Sequence, residues 1–104
     1  MTAETIIKVP ARVKIVKRGP VYEALLSKEL NDFKDLLLHR SVIVRLLLNG
    51  YELAVRGRVT LDNDYTPRRL RVLFPRRLTP TLEKLHGMEL PAVIEFRENN
   101  EVNA

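Results

Sequence analysis

The sequence predicts an α+β domain: a small, curved antiparallel sheet or partly open β-barrel of about five strands, with one longer and one short helix. Three observations carry this. Several short segments alternate apolar and polar residues, Asn49-Gly50 joins two of them directly, and after Pro20 the spacing of apolar residues becomes helical.

The first strand is IKVPARVKIVK. Ile7, Val9, Ala11, Val13 and Ile15 share one parity and Lys8, Arg12 and Lys14 the other, so one face is core and the other cationic. Pro10 has no N–H for a ladder and places this strand at an edge, at a bulge, or as two shorter pieces. From Pro20, residues Val21, Leu25, Leu26, Leu30, Phe33 and Leu37 follow the stripe of an amphipathic helix over 20–38. A second solution is a strand VYEALL pairing back after the Gly19-Pro20 turn, with Ser27 opening a shorter helix.

Asn49-Gly50 tolerates the positive φ of a type I′ turn, and the register of its hairpin follows: Leu48 opposite Tyr51, Leu46 opposite Leu53, Val44 opposite Val55. Residues 61–67, LDNDYTP, read as a loop, with Asx hydrogen bonds at Asp62 and Asp64. Leu70, Val72 and Phe74 then alternate with Arg69, Arg71 and Leu73 in a strand that Pro75 ends. Thr79 and Pro80 open a short helix that Gly87 closes, and PAVIEFRE is the last strand. The three phenylalanines, at 33, 74 and 96, share phase with aliphatic neighbours and are expected in the core. The expected organisation is a single domain over 1–98 with a frayed tail at 99–104, and no internal repeat shows in the sequence.

The chain has 104 residues, 45% hydrophobic and 30% charged, which suits one globular core. Without cysteine it can form neither a disulfide nor a thiolate metal site. The start MTAETIIKVP lacks the pattern of a signal peptide, and no apolar run is long enough for a spanning helix, so a cytoplasmic protein that does not bind membranes is expected. Arginine exceeds lysine and glutamine is absent, a thermophile-like bias.

A net charge of +5 and a pI near 9.9 favour polyanionic partners. Cations lie mainly at outward strand positions, and RRLRVLFPRRL concentrates five arginines. Arginine presents a planar fork of donors that matches phosphate, so Lys14, Arg45, Arg56, Arg58, Arg68, Arg69, Arg71, Arg76 and Arg77 are the candidate nucleic-acid-binding residues. Outward charge also protects strand edges, but a face built for solubility alone more often mixes signs. Tyr51 and Tyr65 are the candidates for stacking on bases.

Catalysis finds little footing. His39 and His86 both sit at helix ends, where imidazole meets terminal carbonyls. No Gly-rich phosphate loop is present, and Asp62 and Asp64 lack the other ligands of a calcium loop, so no catalytic residue, metal or cofactor is expected. The function expected is non-enzymatic binding of DNA or RNA backbone through an arginine-rich strand face.

The segment LRVLFPRRLTPTLEKLHGMELPAVIEF, with Pro75, Leu78, Leu82, Gly87 and Leu90 at comparable spacings, resembles the AbrB-type swapped-hairpin element. The resemblance implies a dimeric DNA-binding regulator and favours Arg68, Arg69 and Arg71. Leu70 stands where that element usually has glycine, and residues 1–60 have no counterpart in it. Apolar residues at outward positions, Ile43, Leu47, Leu73 and Val93, suggest another role: a small accessory subunit docking on a polymerase, nuclease or ribosomal assembly. The same residues would serve a homodimer.

Overall fold

A computed structural model describes residues 5–98; the expected tail at 99–104 lies outside the described residues. Six strands form a closed antiparallel barrel in the order β1-β2-β5-β4-β3-β6: β1 Thr5–Arg18, β2 Val21–Leu26, β3 Ser41–Leu48, β4 Tyr51–Asp62, β5 Arg69–Leu73 and β6 Glu89–Glu98. Closure satisfies both edges of the sheet, which a partly open five-stranded sheet would not. Inward positions of every strand fill the interior, among them Val13, Ile15, Ala24, Leu26, Val44, Leu46, Val59, Val72 and Ile94.

The sixth strand is β2. VYEALL pairs with β1 from Arg18↔Val21 to Val13↔Leu26, so the long helix over 20–38 does not form. Tyr22, Ala24 and Leu26 alternate into the core, and the helical spacing of Val21, Leu25 and Leu26 loses to that period of two. What remains is a 3-10 turn, Lys28–Phe33, running into a single α-turn α1, Lys34–Leu37. Leu30 and Leu37 reach the core, but Phe33, expected there, is 52% exposed. With β2 taking residues 21–26, the phase that would have turned Phe33 inward is lost.

The hairpin at Asn49-Gly50 has the register read from the sequence, Leu48↔Tyr51 through Ser41↔Arg58. Pro10 falls in the part of β1 that pairs with β6 and lies beyond the β2 ladder. The second helical segment starts at Arg76, directly after Pro75, as a 3-10 turn leading into α2, Thr79–Leu82, and a last 3-10 turn, Glu83–Leu85. Thr79 is therefore inside the helix, not its cap, and its hydroxyl donates to the Pro20 carbonyl at 3.5 Å.

The barrel is internally two-fold, a repeat invisible in the residues. Each half runs strand, strand, helical segment, strand, and exchanging β1, β2, β3 with β4, β5, β6 leaves the ring order unchanged. The register fixes the dyad: Ala24 pairs with Val72 and Arg45 with Val93, each partner 48 positions on. His39 and Gly87, also equivalent, both have positive φ, 68° and 79°. Their N–H groups donate to equivalent carbonyls, His39 to Val59 and Gly87 to Ile15. β2 and β3 stand opposite one another on the ring, as do β5 and β6, so each helical segment crosses one mouth of the barrel. Leu30 and Leu37 close one mouth and Leu82 the other.

Candidate nucleic-acid interface

A barrel has no single outward face, and the predicted arginines are divided by it. Following the registers around the outside, Arg56 on β4 neighbours Ile43 on β3, then Glu95 on β6, then Lys8 on β1. One step toward the mouth closed by the first helical segment, Arg58 pairs with Ser41, and Arg97 with Ile6. Arg40, which leads into β3, completes the group.

Together these residues shape a groove of about 450 Å³ lined by Arg40, Arg56, Arg97, Ser41, Ile43, Ile6, Phe96 and Glu95. Arg40 is held in place by three contacts. Its Nε donates to the Leu36 carbonyl at 3.0 Å, its Nη1 donates to the Arg97 carbonyl at 3.2 Å, and its guanidinium lies 4.8 Å from the centre of the Phe96 ring. Arg58 is similarly fixed, Nη1 donating to the His39 carbonyl at 2.8 Å. The Arg56 side chain makes no hydrogen bond or ion pair among the described residues.

Among the described residues the one carboxylate in the groove, Glu95, is already engaged. Arg45 donates to it through Nε at 2.8 Å and to Glu52 through Nη1 at 2.8 Å. The Arg45 hydrogen bond holds the Glu95 pKa below its ordinary value, and Glu95 and Glu52 in turn keep Arg45 charged. Arg45, predicted as a phosphate ligand, is thus the main partner of the acid beside the groove, with weaker attraction from Lys8 and Arg97.

The other predicted cations lie elsewhere. Arg71 donates to Glu23 at 3.1 Å and to the Thr60 hydroxyl at 3.1 Å. Arg69 donates to the Leu26 carbonyl at 2.7 Å and stacks over Tyr65. Arg68 lines a separate cleft with Lys34, Asn31, Asn63, Tyr65 and Thr66. Arg76 and Arg77 stand at the opposite mouth, exposed, and Lys14 lies along β1 toward the same end. Tyr65 is clasped by Arg18 and Arg69, and Tyr51 stands exposed at the hairpin tip. Of the docking candidates, Ile43 is half-buried in the groove floor, whereas Leu47 and Leu73 are exposed.

A buried charge cluster sits on the dyad. Arg18 pairs with Val21 as Asp62 pairs with Arg69, so Arg18 and Asp62 are equivalent positions, and they form a 3.0 Å ion pair; Glu23 and Arg71 are likewise equivalent and pair at 3.1 Å. Glu23 and Asp62 are both fully buried. Burial, and beyond it the neighbouring Asp62 carboxyl, push the Glu23 pKa up to about 7 against the pull of Arg71 and Arg18. For Asp62 burial also acts upward, but hydrogen bonds with Glu23, the Asp64 amide and Arg18 outweigh it and bring the pKa down to about 2. The Asp64 N–H donates to Asp62 Oδ1 at 2.9 Å, the Asx turn expected in this loop.

Sequence reading missed Arg40 and Arg97, which lie outside the arginine-rich stretch and reach the groove only through closure of β3 on β6. No family model matches the chain, and comparisons with curated proteins and with solved structures find no match.

Proposed function

We propose that this is a non-enzymatic protein that binds nucleic acid by its phosphate backbone, through the groove between β3, β4 and β6. The observation that carries this reading is the convergence of Arg40, Arg56 and Arg97, with Arg58 and Lys8 beside them, around one concavity whose only carboxylate among the described residues is held by Arg45. Arginine held by carbonyls and an aromatic face keeps its remaining donors oriented, which suits phosphate oxygens. The apolar floor at Ile43 and Ile6 offers nothing to read base edges, so backbone contact is favoured over sequence recognition.

The test is fluorescence anisotropy of labelled DNA and RNA at several salt concentrations. Affinity should fall steeply with salt, and R56E/R58E should weaken binding at least tenfold and reduce the slope of log affinity against log salt by about 2. Affinity for every nucleic acid unchanged by R56E/R58E would refute the groove as the interface. The exposure of Leu47 and Leu73 supports a second reading, an accessory subunit that docks on a larger nucleic-acid-processing protein. That reading requires L47S/L73S to lose the protein partner with nucleic-acid affinity intact.

A further inference from the structure

The groove is not the only cationic concavity at this end of the barrel. Between the first helical segment and the β4–β5 loop lies a cleft of about 540 Å³ lined by Lys34, Arg68, Asn31, Asn63, Tyr65 and Thr66, with no acid in its lining. The side chains of Arg68 and Lys34 make no hydrogen bond or ion pair among the described residues. Asn31 Nδ2 donates to the Arg68 carbonyl at 3.3 Å, which ties the helical segment to the loop, while its Oδ1 meets no protein donor.

The helical segment 28–37 joins this cleft to the groove. At its far end the Leu36 carbonyl accepts from Arg40, a groove residue; at its near end Asn31 and Lys34 line the cleft. Asn31 to Leu36 spans about 8 to 10 Å at helical rises. On the same short stretch stand the Phe33 side chain, 52% exposed, and that of Leu36, 39% exposed. Phe33 falls between the cleft residues Asn31 and Lys34 on a stretch that also exposes Glu29, Asp32 and Asp35; an exposed ring there has no role in the core, and a ring beside phosphate-binding cations is the arrangement by which bases stack.

We infer that the ligand is a single strand, running from the Arg40–Arg56–Arg97 groove along the 28–37 segment into the Lys34–Arg68 cleft, with a base stacked on Phe33. This rests on the groove reading of the proposed function and names its substrate class. A duplex hides its base faces and could meet only the phosphate-binding cations, so the stacking contact separates the two ligands.

The experiment is anisotropy with a labelled oligothymidylate and with a duplex of the same length, comparing wild type, F33A, F33W, K34E/R68E and R56E/R58E, each checked for the native circular dichroism spectrum. F33A should weaken single-strand binding about tenfold, with the salt slope and duplex affinity unchanged, and F33W should restore it. K34E/R68E should weaken single-strand binding and lower the salt slope by about 1 to 2. If F33A and K34E/R68E bind the single strand as wild type does while R56E/R58E does not, the track falls and the groove reading stands. Equal losses on single strand and duplex with F33A would also overturn the stacking role. Wild-type protein that binds neither probe would overturn both readings.

Discussion

Replacing Glu23 with glutamine should remove most of the alkaline loss of stability of this barrel. Glu23 is fully buried on the dyad, with Oε1 accepting from Arg71 and Oε2 3.7 Å from Arg18 Nε, beside the Asp62 carboxyl. Its folded pKa is raised from 4.5 to about 7, so between these values the folded state holds a proton that the unfolded state has released. For an acid shifted upward, the favourable contribution is complete below the unfolded pKa, declines as pH rises through 7, and is gone above it. The size of the decline is roughly 2 to 3 kcal/mol. Glutamine has the same shape, still offers an oxygen to Arg71, places an N–H toward Asp62, and does not titrate. Urea unfolding of wild type and E23Q at pH 5, 6, 7 and 8 isolates the effect, because the other titrating groups are common to both. The variant should gain roughly 2 to 3 kcal/mol on wild type between pH 5 and pH 8, a relative rise in Tm of about 10 to 20 °C. Parallel stability curves would refute the reasoning, since they would mean that Glu23 ionises in the barrel as easily as in the unfolded chain.

Three further outcomes are expected. Asp62, lowered from 3.8 to about 2, gives stability that is present above pH 3.8 and is lost as pH falls through 2, so D62N should cost roughly 2 kcal/mol at pH 5 and progressively less toward pH 2 by the same unfolding assay. G57A should destabilise by roughly 1 to 3 kcal/mol, because a Cβ there would lie 2.5 Å from Val72 Cγ1 and 3.2 Å from the Leu73 carbonyl oxygen; V72A should rescue it only in part, as the carbonyl contact persists. H39G should stabilise by roughly 0.5 to 1 kcal/mol in thermal unfolding, since His39 holds φ 68° where its dyad mate is Gly87; a loss of stability there would show that the imidazole makes a compensating contact.

Much of the barrel could be read from residues alone, for identifiable reasons. Local chemistry fixed the Asn49-Gly50 hairpin and its register, the Asx turn at Asp62, the end of β5 at Pro75 and the alternation of β1. VYEALL carries apolar residues that satisfy both a helical stripe and a strand, and only pairing with β1 and β5, remote in sequence, decides between them. Closure was illegible for the same reason: it depends on β1 and β3 both finding β6. The site followed this pattern. Arg56 and Arg58 were recognisable from parity on one strand, while Arg40 and Arg97 join them through the tertiary ladder. Arg45 and Arg71, alike in sequence to the others, are engaged by Glu95 and Glu23, partners 50 and 48 residues away.

The duplicated architecture also explains why the charge cluster and the groove occur once each. Were two copies of the first half to pair about the same axis, Arg18 would face Arg18 and Glu23 would face Glu23 at the buried seam, two like-charge contacts that burial makes costly. Joining two different halves in one chain lets Arg18 meet Asp62 and Glu23 meet Arg71, so each symmetric pair becomes an ion pair. Outside the barrel the halves diverge in the same way. The dyad copies of Arg40, Glu95 and Arg97 are Met88, Leu47 and Asn49, and the copy of Arg56, Arg12, is paired with Glu89 at 3.7 Å, so the equivalent surface lacks the convergence of arginines. A single chain therefore offers one cationic groove, and the proposed interface should saturate at one nucleic-acid strand per protein.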